Sequence, residues 1–392
     1  MDFKELATQR NKEKIAVIVV GYNRKNGIER LLDSINTAFY DDNNIPLVIS
    51  IDASGNQLLY DYVKSFNWKH GEKYVNIQEN RLGLKAHIFQ CASLSKYFKG
   101  VIILEDDLFV SPYYYHYCTE CLEQYGSNEK VAGISLYSEE INGYVGLPFQ
   151  PEQRGSDVYA WQTVCSWGEM WNERMWNGFT SWLDSWDENF DDIDMVDTIK
   201  KWTRAWSKYY YAYMIKNDKY FIYPYNSLTT NFNDAGGEHG GGNASIVQVS
   251  LLQGKRTYHL DEFESLVKYD VYSQNKEIPQ WLGIDKNNLT IDLYGLKKEY
   301  RGHYILTPFK LPYKIVESFG LSLRPWELNI KYKNKGNGLF LYYRDHDYSK
   351  DEPNKSFPLE VGDYYLRGFN LPILIKYVWK RIKVSFKRKF TK

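Results

Sequence analysis

Three consecutive carboxylates, Glu105, Asp106 and Asp107, close the apolar run Gly100 to Leu104 in the stretch GVIILEDDLFVSP, residues 100 to 112. Adjacent acids repel one another unless a cation sits among them, and hard carboxylate oxygens suit Mg²⁺ or Mn²⁺. An apolar run this short reads as a strand buried on both faces, with its acids at the carboxyl end. In an open α/β sheet that end is where ligands bind. The alternative is a polar turn, with Ser111 and Pro112 opening the helix that follows.

The elements needed to position such acids stand just ahead of them. Ile15 to Val20 (IAVIVV) is a β-branched run with the character of a central parallel strand. Gly21 to Arg24 then turn the chain into an amphipathic helix whose apolar positions include Ile28, Leu31, Leu32 and Ile35. Leu47 to Ile51 is a second strand, ending at Asp52, Ala53, Ser54 and Gly55. A third polar turn, Asn80-Arg81-Leu82-Gly83, leads into another helix. Strand, helix, strand with acids and glycines at the carboxyl ends is the first half of a nucleotide-binding α/β domain. Neither GxGxxG nor GxxxxGK occurs at these turns, which disfavours dehydrogenases and P-loop NTPases. Lys+Arg and Asp+Glu are both 49, so net charge does not point to nucleic acid. Cys118 and Cys121 form a CxxC with no second pair to complete a zinc site, and read as two buried thiols on one helix face.

The segment EDDLFVSP resembles the "DxD" signature of GT-A glycosyltransferases, and is similar to the matching segment of N-acetylglucosaminyltransferase I and of bacterial family 2 capsule and lipopolysaccharide transferases. The GYNR, IDAS and NRLGLKAH stretches resemble the nucleotide-sugar half of the same domain, in the same order. The resemblance implies an α/β fold of GT-A (Rossmann-like) type, a mixed sheet with helices on both faces. It implies Asp107 as ligand of Mn²⁺ or Mg²⁺, Glu105 and Asp106 orienting ribose and sugar, and Asp52 contacting the base. Arg24, Arg81 and Lys85 fall near base and diphosphate. His239, in the glycine-rich DAGGEHGGGN, falls where the family closes a histidine over the diphosphate or metal. YAWQTVCSWGEMWNERMW, residues 159 to 176, is similar to an SWG-x-x-W stretch in the acceptor half, so Trp161, Trp167 and Trp171 are candidate sugar platforms; a core role fits their spacing as well.

In one place the chain departs from the family pattern. Inverting members carry an acid at the start of the helix before the YP strand, and WTRAWSKYYYAY, residues 202 to 213, has none. Two candidates for the catalytic base follow. Asp184 lies in WLDSW, which resembles the FWDDW of N-acetylglucosaminyltransferase I, and Glu169 lies within SWGEMW. Desolvation beside Trp raises a carboxyl's pKa toward working pH.

From about residue 271 to 365 short alternating strands and turn residues suggest a β-rich accessory region after a domain spanning 1 to 270. Residues 366 to 392 end in LPILIKYVWKRIKVSFKRKFTK, expected to be a basic amphipathic helix on an anionic membrane surface. The start is polar and no apolar run reaches the ~18 residues of a membrane span, so a cytoplasmic protein, peripheral on the inner face of the membrane, is expected. The function expected is metal-dependent, inverting transfer from a nucleotide-diphosphate sugar, UDP-linked, to a glycan or lipid-linked oligosaccharide in bacterial surface polysaccharide synthesis. Its rival is a catalytically inactive carbohydrate-binding or assembly protein on the same scaffold. A nucleotidyltransferase is disfavoured, because GYNRKNG is too sparse for a glycine-rich basic loop.

Overall fold

A computed structural model describes residues 11–234, 245–344 and 359–390. The chain divides into two compact units, Met1–Ile278 and Pro279–Lys392. The first begins as the apolar runs require: β1 (Asn11–Gly21), α1 (Lys25–Asn36), β2 (Leu47–Ile51), α2 (Gln57–Ser65), β3 (Lys73–Ile77), α3 (Leu84–Ala92) and β4 (Phe98–Glu105). Strands β1, β2, β3 and β4 are parallel to one another. Ile15 to Val20 and Val101 to Leu104 are buried, as strands covered on both faces must be.

The chain then gives β5 (Leu108–Val110), α4 (Tyr114–Tyr125), β6 (Val131–Ser135), the hairpin of β7 (Ile141–Asn142) and β8 (Leu147–Pro148), β9 (Val158–Trp161) and β10 (Glu169–Trp171). After these come α5 (Glu173–Ser185), α6 (Asp197–Lys200), α7 (Ser207–Lys216), β11 (Tyr220–Pro224), β12 (Thr229–Asn231) and β13 (Lys268–Tyr269). Nine strands form one sheet in the order β13-β9-β11-β6-β10-β4-β1-β2-β3. The sheet is mixed: β10 runs antiparallel between β4 and β6, whereas β11 is parallel to β6. Strand β12 pairs with β5 in a separate ribbon just beyond the end of β4. This is the mixed α/β arrangement with a helical C-terminal segment that the sequence predicts.

Successive side chains of β10 show how both faces are covered. Met170 and Leu122 of α4 both crowd Gly100 on one side. Trp171 points the other way, its ring 5.1 Å from that of Trp176 on α5, 5.7 Å from Trp206 and 5.7 Å from Tyr210 on α7. Cys118 and Cys121 are buried free thiols, and burial pushes both well above the usual thiol pKa. They belong to the core, as expected.

The boundary between the units falls later than residue 270. Strand β13 returns to the edge of the large sheet beside β9, and Asn142 donates to Ser273 at 3.2 Å, so residues 271 to 278 pack with the first unit. The second unit contains α8 (Ile278–Leu282), which crosses the boundary, β14 (Leu289–Ile291), β15 (Tyr304–Thr307), β16 (Lys314–Phe319), α9 (Glu327–Lys331), β17 (Leu339–Tyr343), α10 (Leu359–Leu366) and α11 (Leu371–Phe390). Its sheet order is β14-β15-β17-β16, around a small core of Tyr300, Ile305, Phe340 and Tyr342. No helix among the described residues is long and apolar enough to cross a membrane.

Trp171 has no exposed surface, so it serves the core and not a sugar platform. Trp171→Ala is expected to lower unfolding stability by ~3–5 kcal/mol, and Trp171→Phe by much less, in urea titrations. A loss below about 1 kcal/mol for the alanine variant would show that the ring is not packed this way.

Candidate functional site

Strand register assembles one polar edge. Glu105, Val20, Ser50 and Asn76 lie in a single row across β4, β1, β2 and β3, so the turns after all four strands open on the same side. Asp52, just past β2, accepts from the Leu82 N–H at 2.8 Å and the Gly83 N–H at 2.9 Å, and from its neighbour Ala53. Its carboxylate therefore fixes the Asn80–Gly83 turn, and a fourth acceptor site is left over. Gly83 caps α3 with φ +77°, a left-handed conformation that favours glycine. Beside this turn the Arg81 guanidinium lies 4.7 Å from the centre of the Tyr22 ring, and both side chains are exposed. Behind it His87 shares a 2.7 Å hydrogen bond with Ser50, and burial pushes its imidazole down to about 4, with Asp52 opposing. It is neutral at physiological pH.

The acid triplet is organised around one cation. The Arg24 guanidinium donates to the Asp106 carboxylate and lies 3.5 Å from Asp107 Oδ2. Helix α1 reaches this close because Gly27 has no side chain: a Cβ there would stand 2.3 Å from the Asp106 carbonyl oxygen. One turn further, Arg30 pairs with Asp234, lies 3.8 Å over the Phe232 ring and reaches the Asp106 carbonyl at 3.4 Å. The Phe232 N–H donates to the Asp107 carbonyl at 2.8 Å, which ties the chain after β12 to the acids.

Charge is costly here. Burial first, then Asp107 and Asp106, push Glu105 well above the usual carboxyl range, against the pull of Arg24. Burial likewise pushes Asp106 up to about 6, although its pair with Arg24 opposes the shift. Asp107 Oδ1 is buried without a hydrogen-bond partner among the described residues. No group of three His, Cys, Asp or Glu among the described residues could enclose a metal ion. That donor set nevertheless fits Mg²⁺ or Mn²⁺ held chiefly by substrate phosphates and water, a mode in which one or two carboxylates suffice.

The remaining predicted residues fall into three groups. Lys85 lies 3.5 Å over the Tyr209 ring, and Tyr209 packs on Phe190, Phe190 on Trp186, and Trp186 on Trp182 of α5. This aromatic chain brings the last turn of α5, where Asp184 is exposed, toward the rim carrying Lys85. Asp184 itself has no ion pair or hydrogen bond among the described residues. Trp161 is a core residue, 4.4 Å from Phe149 with its indole N–H on the Asp270 carbonyl, and with Trp171 it is withdrawn from the sugar platform. Trp167 alone of the three is partly exposed, edge-on to Tyr137 at 4.8 Å. His239 lies outside the described residues.

Glu169 is on β10, not on a helix, paired with Ile103 on one side and Ser135 on the other. It has no exposed surface, and neither carboxyl oxygen reaches full hydrogen-bond geometry among the described residues. Burial and then Glu105 push it well above the usual range, and the nearby Gly168 N–H offsets this only in part. A carboxyl sealed from solvent does not fit the direct base role expected of it. Sequence reasoning missed Gly27, Arg30 and Glu139. The first two act through contacts distant in sequence; Glu139 stands in the turn LYSEE that follows the buried strand VAGIS, a looser signal than the acid that ends GVIILE.

Among solved structures, the chain is similar to Staphylococcus aureus TarS residues 1–349 in complex with UDP-GlcNAc, at 15% identity and TM-score 0.39, over 59% of this chain and 61% of that one. It is similar to the mannosyltransferase PcManGT from Pyrobaculum calidifontis in complex with GDP-Man and Mn²⁺, at 14% identity and TM-score 0.33, over 44% and 47%. It is also similar to GalNAc-T7 with UDP, GalNAc and Mn²⁺, at 12% identity and TM-score 0.36, over 55% and 43%. The chain thus spans less than two thirds of the length of each. No protein-family profile matches it, and neither does any curated protein.

A pH test follows from Asp106. Its folded value, about 6, lies above the ordinary 3.8, so folding favours the protonated form. This contribution to stability is complete below about pH 4, falls as pH rises to about 6 and is flat above, roughly 3 kcal/mol at most. Asp106→Asn should remove that part of the slope in urea titrations at stepped pH. An unchanged slope would show that Asp106 is not held this way.

Proposed function

We propose that this chain is a glycosyltransferase using a nucleotide-diphosphate sugar, with Asp107 as the protein's ligand for Mn²⁺ or Mg²⁺. One observation carries the reading: the turns after β1, β2, β3 and β4 open on one edge, where Asp107 keeps a buried oxygen without a partner. Tyr22 and Arg81 offer the exposed planar surface against which a base can stack, and Asp52 holds their turn in place and retains an acceptor site for a ring N–H. Lys85 stands on the rim where it can meet the diphosphate. Arg24 fixes Asp106 and shares its charge with Asp107, so these carboxylates face the donor already oriented. A divalent cation bound at Asp107 supplies neutralisation of the departing diphosphate.

The transfer we propose is inverting. The acceptor hydroxyl oxygen attacks the anomeric carbon, the bond to the diphosphate oxygen breaks, and a carboxylate of the chain takes the hydroxyl proton. A UDP-sugar donor and a glycan or lipid-linked acceptor of a bacterial surface polysaccharide complete the proposal, supported by the motif resemblance. The test is release of nucleoside diphosphate from a panel of UDP- and GDP-sugars, with and without Mn²⁺, alongside calorimetric titration of UDP and GDP. Metal-dependent release is expected, and Asp107→Asn should lower it by ~100-fold or more. No release and no nucleotide binding would favour an inactive carbohydrate-binding or assembly protein.

A peripheral position on the inner face of a membrane belongs to the same proposal. Leu371, Ile375, Val378, Trp379, Ile382 and Phe386 are all exposed on α11 and cluster on one face at 100° per residue. Lys376, Lys380 and Lys383 flank that face, each adding about 1 kcal/mol on an anionic surface. Removing residues 371 to 392 should abolish co-sedimentation with phosphatidylserine vesicles and leave neutral vesicles unaffected. Undiminished co-sedimentation would overturn the surface role of this helix.

A further inference from the structure

The transfer needs a proton acceptor, and the two carboxyls suggested by the sequence do not supply one at the site: Glu169 is sealed, and Asp184 is a solvated residue without partners. A third carboxyl stands on the same edge. Strand β6 runs parallel to β4 with only β10 between them, so their carboxyl ends lie about 10 Å apart. Past that end the chain is pinned tightly. The Leu136 N–H donates to the Gly168 carbonyl at 2.9 Å, the Ser138 N–H to Ser227 Oγ at 3.0 Å, and the Phe149 N–H to the Glu140 carbonyl at 2.9 Å. Glu139 is thereby fixed between two anchored residues, partly buried but open to solvent.

Its surroundings are aromatic, and no cation pairs with it among the described residues. Tyr137, Tyr144, Tyr159, Tyr211, Tyr223 and Cys165 all feel its charge, and burial holds each of them above its ordinary pKa, so none ionises near neutrality. Their hydroxyls are largely engaged elsewhere. Tyr137 donates to the Val247 carbonyl at 3.1 Å, Tyr223 to the Thr163 carbonyl at 3.1 Å, and Tyr144 to Tyr211 at 3.5 Å. No hydrogen bond or ion pair among the described residues reaches the Glu139 carboxylate. Trp167, the one predicted platform residue with exposed surface, packs edge-on against Tyr137, so a planar ring and an unpartnered acid share one neighbour.

We propose that Glu139 is the catalytic base, accepting the proton of an acceptor hydroxyl whose sugar ring rests near Trp167. This rests on the glycosyltransferase reading. As the hydroxyl oxygen bonds to the anomeric carbon and the diphosphate departs with the electrons of the broken bond, the proton passes to the Glu139 carboxylate and later to solvent. Burial among the tyrosines raises its pKa to about 8, so the carboxylate is a stronger base than an ordinary one, and the fraction able to take the proton grows as pH rises through about 8.

The test uses the full chain with a UDP- or GDP-sugar that the wild type turns over, Mn²⁺, and water or an octyl glycoside as acceptor. Glu139→Gln should lose at least ~100-fold in turnover, together with the rise in rate through about pH 8, while UDP or GDP affinity stays within about two-fold. Glu139→Asp should recover part of the rate. A second readout needs no turnover: infrared titration of ¹³C-glutamate-labelled protein should show a carboxyl titrating near 8 that disappears in Glu139→Gln. Full turnover in Glu139→Gln, or no such carboxyl, would overturn the assignment and leave the transferase reading intact. A wild type that neither binds nucleotide nor releases it from any donor would overturn both.

Discussion

Everything on the polar edge depends on how like charges are tolerated at the end of β4. Two unit charges 4 Å apart repel by about 4 kcal/mol at an effective dielectric of 20, and Glu105, Asp106 and Asp107 are consecutive. The chain answers with Arg24, placed by α1 against Asp106 and within 3.5 Å of Asp107. That placement depends on Gly27, since any side chain would strike the Asp106 carbonyl, and on Arg30, which ties the other side of the loop to Asp234. The compensation is incomplete. Glu105 is still pushed strongly toward its neutral form, and Asp107 keeps an oxygen without a partner. An edge so arranged has capacity for one more positive group, whether a divalent ion, a basic group of a ligand, or both in succession.

The same logic extends to the neighbouring strand. Placing β10 between β4 and β6 brings Glu169 into the sheet interior beside Glu105, where two carboxyls cannot both ionise cheaply. Burial and Glu105 both push the sealed one toward its neutral form, which lessens the charge that it adds beside the triplet.

Much of this was legible in sequence because it is local. The apolar runs of β1, β2 and β4 end within about one residue of the strands' carboxyl ends, and the turns GYNR, IDAS and NRLG lie on one edge because parallel strands share a direction. What could not be read depends on non-local pairing. Trp161 and Trp171 lie on short strands, four and three residues long, whose place inside the sheet is set by β4, β6 and β11, and inside a sheet an aromatic side chain has no route to solvent. Glu169 shared that fate for the same reason. The boundary between the units falls later because residues past β13 bond back to the first unit, Tyr272 to Asp194, Ser273 to Asn142 and Glu277 to Arg154, contacts between residues far apart in sequence. Glu139 was a different kind of omission, an acid in the turn after a buried strand and not, like Glu105, at the strand's own end.

A carboxyl's chemistry is set jointly by how far it is desolvated and whether anything can reach it, and the acids along this edge separate on those two axes. Glu169 is desolvated and unreachable, and burial holds it toward its neutral form. Asp184 is exposed and reachable, without a hydrogen-bond or ion-pair partner among the described residues. Asp106 is desolvated, but its charge is committed to Arg24. Asp107 and Glu139 remain, each with access and without a full set of partners, but their neighbours differ. Asp107 stands beside a guanidinium and other acids, a setting suited to sharing a cation; Glu139 stands among phenols with no ion pair among the described residues, a setting that favours taking up a proton.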